Sequence, residues 1–143
     1  MTWVYDDGED PSYSPEFMAH RRRIAEHTWD EPGDFPGLWG SCVCRAIAIV
    51  TQRPFAEIWL ELREHGAYPD YSVHDHVMLP YLEQLGFRRY PGCRWRDLPT
   101  IGRVLVNVPG HLLAVIDGVA HDTFNSWRRG RIEAYWLEDW TAL

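Results

Sequence analysis

The chain has little sulfur: three cysteines in 143 residues. So small and odd a set cannot all pair, which predicts free thiols and a reducing compartment. No apolar run approaches the roughly 18 residues that a membrane-spanning helix needs. The opening Met1-Thr2-Trp3-Val4-Tyr5-Asp6-Asp7 is acidic, where a secretory leader carries basic residues. There is no phosphate-binding glycine loop, no dinucleotide fingerprint, no internal repeat and no low-complexity segment. A surplus of positive charge is also missing. The formal net charge is −7, which argues against a partner held by its phosphates. These absences predict a soluble, cytoplasmic protein with no membrane, nucleic-acid or cofactor partner.

What is present points to a packed fold. Apolar residues make up 45% of the chain, and it holds eight tryptophans, side chains that carry large buried area. The length suits one domain. Residues 1–13 are acidic and rich in Gly, Pro and Ser, and read as an N-terminal arm to a single domain over residues 14–143. The basic clusters at Arg21-Arg22-Arg23, Arg88-Arg89 and Arg128-Arg129-Gly130-Arg131 read as solvated surface.

Periodicity divides that domain. Ser14-Pro15-Glu16 has a capping serine followed by proline at the first helical position, which predicts a helix to about residue 28. The Pro- and Gly-broken stretch over residues 30–37 predicts a loop. Cys42, Ala46 and Ile49 beside Val43, Ile47 and Val50 predict a helix. Phe55, Ile58, Trp59 and Leu62 predict a second, starting at Pro54 and stopping at Gly66. Ser72-Val73-His74-Asp75 resembles a capping box that opens a third, with Pro80 inside it marking a kink or a later start. The period then changes to that of strands: residues 104–108, 111–116, 119–124 and 132–137. Asp117-Gly118 between the second and third is a strong hairpin signal. Helices first and about four antiparallel strands after them predict an α+β domain.

Within this frame Cys42 can do chemistry. It follows Gly40-Ser41 at the start of a helix, where unpaired amides and the helix dipole favour a thiolate. The amide of Cys42 itself would point toward an oxyanion. A histidine that takes the thiol proton completes a nucleophile, and His111 opens a predicted strand. The hairpin sets which acid can serve it. If Asp117-Gly118 is a two-residue turn, Ile116 faces Val119, Leu113 faces Asp122 and His111 faces Phe124. Opposed residues share a face, and strand side chains alternate. Asp122 therefore projects on the side of His111, one diagonal away, and His121 projects to the other. Asn125 faces away in this count, but a bulge would turn it inward and make it a rival for the third position.

Cys42-Val43-Cys44-Arg45-Ala46-Ile47-Ala48-Ile49-Val50-Thr51, with Pro54 and Phe55 beyond, resembles the nucleophile helix of small papain-like cysteine peptidases of bacteria and phages. Gly110-His111 and Val115-Ile116-Asp117-Gly118-Val119-Ala120-His121-Asp122-Thr123 resembles their histidine hairpin. The resemblance covers roughly residues 37–136. It implies a papain-like fold and a Cys42–His111–Asp122 triad acting on a peptide or protein substrate, in a bacterial host cell or a virion. Papain-type enzymes commonly carry a glutamine just before the cysteine; here both glutamines, Gln52 and Gln84, lie after it. Trp39, or a backbone amide in the loop that ends at Ser41, would have to serve the oxyanion.

Other readings stand beside this one. Cys42 can be a buried structural thiol, His111 a satisfied strand histidine and Asp122 a strand cap. Cys44 sits about 100° around the helix from Cys42 and reads as core. Cys42-x-Cys44, His74-x-His76 and His65 could be imagined as zinc ligands, but structural zinc sites usually place two to four residues between cysteines, and Cys42-x-Cys44 has one. The fold could also serve without turnover, as a binding or inhibitory protein or a virion-assembly component.

Overall fold

The computed structural model describes residues 2–5, 42–67, 73–122 and 131–138. Within them the fold is α+β: three helices and one mixed six-stranded sheet. Helix α1 spans Cys42–Thr51, α2 Phe55–Glu64 and α3 Asp75–Gln84. Strand β1 is Thr2–Tyr5, β2 Phe87–Pro91, β3 Arg103–Val108, β4 His111–Ile116, β5 Val119–Asp122 and β6 Ala134–Glu138. The sheet order is β1-β5-β4-β3-β6-β2, with β1 parallel to β5 and every other pair antiparallel.

The sheet separates two apolar clusters, because alternate residues of a strand point to opposite faces. Leu105, Leu112, Ala114 and Trp136 turn toward the helices, where they meet Ile47, Phe55, Ile58, Trp59 and Leu62. Val104, Val106, Leu113, Val115 and Ala120 turn the other way and pack with Leu98 and Ile132. Helix α1 lies against the sheet, and residues 43–50 are all buried. That is why it reads as nearly continuous Val, Ile and Ala. Each large apolar side chain so buried contributes about 1.5–3 kcal/mol.

The boundaries of α2 follow local chemistry. Pro54 holds the N-cap position with φ −55, and Gly66 takes φ +91 just past the end, a conformation that favours glycine. Helix α3 starts at Asp75 with His74 in the cap position and no side-chain cap bond; it opens later than the Ser72 pattern suggested. Pro80 sits inside it. A proline there lacks an N–H donor, and α3 runs on to Gln84 regardless.

Two strands were not expected. The sheet has six strands where the pattern suggested about four. Strand β2 carries Arg88, Arg89 and Pro91, an edge-strand composition without apolar alternation. Strand β1 lies in the acidic stretch and takes its register entirely from β5, with Thr2 opposite Val119 and Tyr5 opposite Asp122. The last strand begins at Ala134 and not at Ile132. Before it the chain passes close to Gly92, whose absent Cβ would stand 2.2 Å from the Ile132 carbonyl oxygen. From residue 6 onward the acidic arm, and the helix read over residues 14–28, lie outside the described residues. No helix among the described residues is long and apolar enough to cross a membrane.

Candidate active site

The β4–β5 hairpin has the register that a two-residue turn dictates. Ile116 pairs with Val119, Val115 with Ala120 and Ala114 with His121. Asp117 and Gly118 both take positive φ, +48 and +79, as a primed turn requires. The turn is tied to the chain before β3. The Asp117 amide donates to the Gly102 carbonyl at 2.8 Å, and the Gly102 amide donates to Asp117 Oδ1 at 2.7 Å. A hairpin pinned at its tip holds His111, the first residue of β4, and Asp122, the last of β5, in fixed relation.

His111 Nε2 lies 2.5 Å from Asp122 Oδ2. His111 is 7% exposed and Asp122 3%. The remaining ring nitrogen, Nδ1, is left to Cys42. The half-buried Cys42 side chain opens α1, is hydrogen-bonded to His111 and accepts from the backbone amide of Leu112. Helix α1, strand β4 and strand β5 thus each supply one member of a chain running thiol, imidazole, carboxylate.

Electrostatics separate the proton from the sulfur. Burial alone would raise the Cys42 thiol. The hydrogen bond and charge of His111, the Leu112 amide and the charge of Arg45 outweigh it and hold the thiol below its usual range. Burial alone would lower His111. The hydrogen bonds and charges of Asp122 and Cys42 reverse that and push it up to about 9. Both shifts favour thiolate beside imidazolium.

The other two cysteines sit differently. Cys44 is fully buried and directs its Sγ at the Phe55 carbonyl, 3.6 Å away. Burial pushes the Cys93 thiol up. The His74 and His76 rings stack on each other at 5.6 Å. Among the described residues no three His, Cys, Asp or Glu side chains are arranged to hold a metal ion.

The structure brings Cys42, His111 and Asp122 together. Trp39 and Ser41, read as oxyanion or cleft candidates, and Asn125, read as the rival third member, lie outside the described residues. Two groups near the thiol had no part in the sequence reading. The Leu112 amide is a backbone donor that no sequence pattern marks. Arg45 did leave a signal, as the single charged residue of α1, and burial at 2% exposure gives that signal its meaning.

No protein-family model matches the chain, and comparisons with curated proteins and with solved structures return no match either.

Proposed function

We propose that this protein is a papain-like thiol hydrolase that cleaves a peptide, isopeptide or amide bond. The observation that carries the reading is the unbroken hydrogen-bonded chain from Cys42 through His111 to Asp122. The order of the three in the sequence, with the cysteine at a helix start and the histidine on a strand, supports the same fold type.

The chemistry follows from the protonation states. The Cys42 thiolate attacks the substrate carbonyl carbon and forms a C–S bond, while the carbonyl π electrons move to oxygen. The amide of Cys42, at the open end of α1, is a donor for that oxyanion. The imidazolium of His111 gives its Nδ1 proton to the leaving amine as the C–N bond breaks, which leaves a thioester on Cys42. The now neutral imidazole removes a proton from water, and the resulting attack releases the acid and restores the thiolate. Asp122 fixes the ring's orientation and tautomer throughout.

Labelling with a thiol-directed electrophile, followed by peptide mapping, tests this. Cys42 is expected to react far ahead of Cys93 and Cys44 in the folded protein. Cys42→Ala is expected to abolish turnover of a peptide library while the fold persists. A Cys42→Ala protein that cleaves as well as the wild type would end the proposal. A reactive Cys42 with no turnover of any peptide would return the fold to a binding or assembly role.

A further inference from the structure

His111 and Asp122 meet across two strands that are held in different ways. Strand β4 carries His111 and pairs with β3 along its whole length, from Ile116 opposite Arg103 to His111 opposite Val108. Strand β5 carries Asp122 and is tied to β4 at Ile116–Val119, Val115–Ala120 and Ala114–His121. At Asp122 itself its strand partner is Tyr5 of β1. Backbone pairing thus reaches each residue from its outer neighbour, β3 for the histidine and β1 for the carboxylate. Strand β1 in turn is seated on the core. Its partly buried Trp3 lies opposite Ala120 and packs with the cluster that holds Leu98 and Val115. The contact so supported has little tolerance. His111 Nε2 and Asp122 Oδ2 are 2.5 Å apart, so withdrawal of the carboxylate by about 1 Å carries the pair to the limit of a hydrogen bond. Water admitted beside β5 would also raise the local dielectric, and the attraction between carboxylate and imidazolium falls in proportion.

We propose that β1 is a positioning strand for Asp122: its seating on β5 holds the carboxylate against His111, and its displacement disables the site. The proposal rests on the reading of Cys42, His111 and Asp122 as a triad and adds a regulatory element to it. Strand β1 is four residues long and ends the sheet, paired with β5 alone, so it can leave without breaking any other strand pair. The hairpin beneath it keeps its own tether at the turn, where Asp117 and Gly102 bond each other. Loss of the site is therefore separable from loss of the fold.

A pair of proline variants tests this in the full chain. The N–H groups of successive strand residues point to opposite edges, so one of Val4 and Tyr5 donates toward β5 and the other away from it. Each of Val4→Pro and Tyr5→Pro removes one N–H, and one of the two removes a donor that faces β5. Alkylation of Cys42 is followed against pH with peptide mapping, the His111 ring is titrated by NMR, and thermal unfolding verifies the fold. Wild-type Cys42 with an ordinary thiol midpoint would defeat the triad reading itself. With a low wild-type midpoint, the variant that loses the facing donor is expected to alkylate about tenfold more slowly at a pH below that midpoint, and its His111 should titrate about one unit lower. The other variant should stay near the wild type in both. Two folded proline variants that melt lower but keep the wild-type His111 titration make β1 a merely structural strand and overturn the proposal, with the triad reading intact. Should both fail to fold, Val4→Gly decides. Val4 is 38% exposed, so glycine loosens the strand without emptying the core. A folded Val4→Gly protein whose His111 titrates below the wild type supports the proposal, and one with the wild-type titration overturns it.

Discussion

Asp122 Oδ2 stands 2.5 Å from His111 Nε2, with both side chains almost wholly out of water. The carboxylate has taken one ring nitrogen, and the same imidazole is hydrogen-bonded to Cys42. The Asp122 contact therefore orients the ring and, together with Cys42, raises its proton affinity. Asp122→Asn keeps the shape and removes the charge, so His111 should fall back from about 9. Turnover should drop about 100-fold or more, the usual worth of a positioned acid–base group. Steady-state kinetics on a cleaved peptide, with the Cys42 alkylation midpoint rising in parallel, check this outcome.

The thiolate–imidazolium pair also has a signature in stability. His111 moves from an ordinary 6.5 up to about 9 on folding. Its contribution is full below pH 6.5 and is lost as pH rises through 9. The Cys42 thiol starts from 9.0 and is lowered. Its contribution is present above 9.0 and is lost as pH falls through the folded value. Above both 6.5 and the lowered Cys42 value, and below 9, the two slopes oppose each other, because the folded pair and the unfolded pair then hold one proton each. Wild-type stability should be nearly flat across that window. Cys42→Ala keeps the Asp122 contact and removes the opposing slope, so its stability should decline with pH by on the order of 2 kcal/mol. Urea unfolding of both proteins from pH 6 to about 9.5 reads the difference; a wild type as steep as Cys42→Ala would contradict it.

Gly118 holds φ +79 in the hairpin turn, and a Cβ there would meet only the Thr100 carbonyl oxygen at an ordinary 3.8 Å. The cost of Gly118→Ala is therefore conformational, about 1–2 kcal/mol. The fold should survive, with a lower denaturant midpoint and an unchanged m-value.

Gly92 presents the opposite case. A Cβ would lie 2.2 Å from the Ile132 oxygen and 3.0 Å from that of Glu133, both backbone atoms. Gly92→Ala must push apart the chain leading into β6 and should cost more than about 3 kcal/mol. Its melting temperature should fall well below that of Gly118→Ala.

Much of this arrangement is legible in the sequence. The α1 stripe, the Pro54 start and Gly66 stop of α2, and the Asp117-Gly118 turn each depend on residues close in sequence, whose pattern states the geometry directly. The parity that puts Asp122 on the side of His111 follows from the turn alone. Strands β1 and β2 were not legible, because neither alternates; each is defined by a neighbour distant in sequence. The fork between Ile132 and Ala134 is a matter of close approach to Gly92, which no periodicity encodes. Near the thiol, a backbone amide leaves no trace in a sequence. The meaning of Arg45 appears only once it is known to be buried.

The register that sets Tyr5 beside Asp122 also bears on the order of assembly. The α1–α2 pair and the β3–β4–β5 meander join segments near in sequence, with little entropy of loop closure. Pairing β1 with β5 closes a loop from residue 5 to residue 119 and gains only a four-residue strand. That contact should form after the meander and be the first to open. Amide hydrogen exchange would then find Trp3 and Val4 fast and Leu113 to Val115 slow. The strand that carries Asp122 would lose its flank to brief local unfolding long before the core yields.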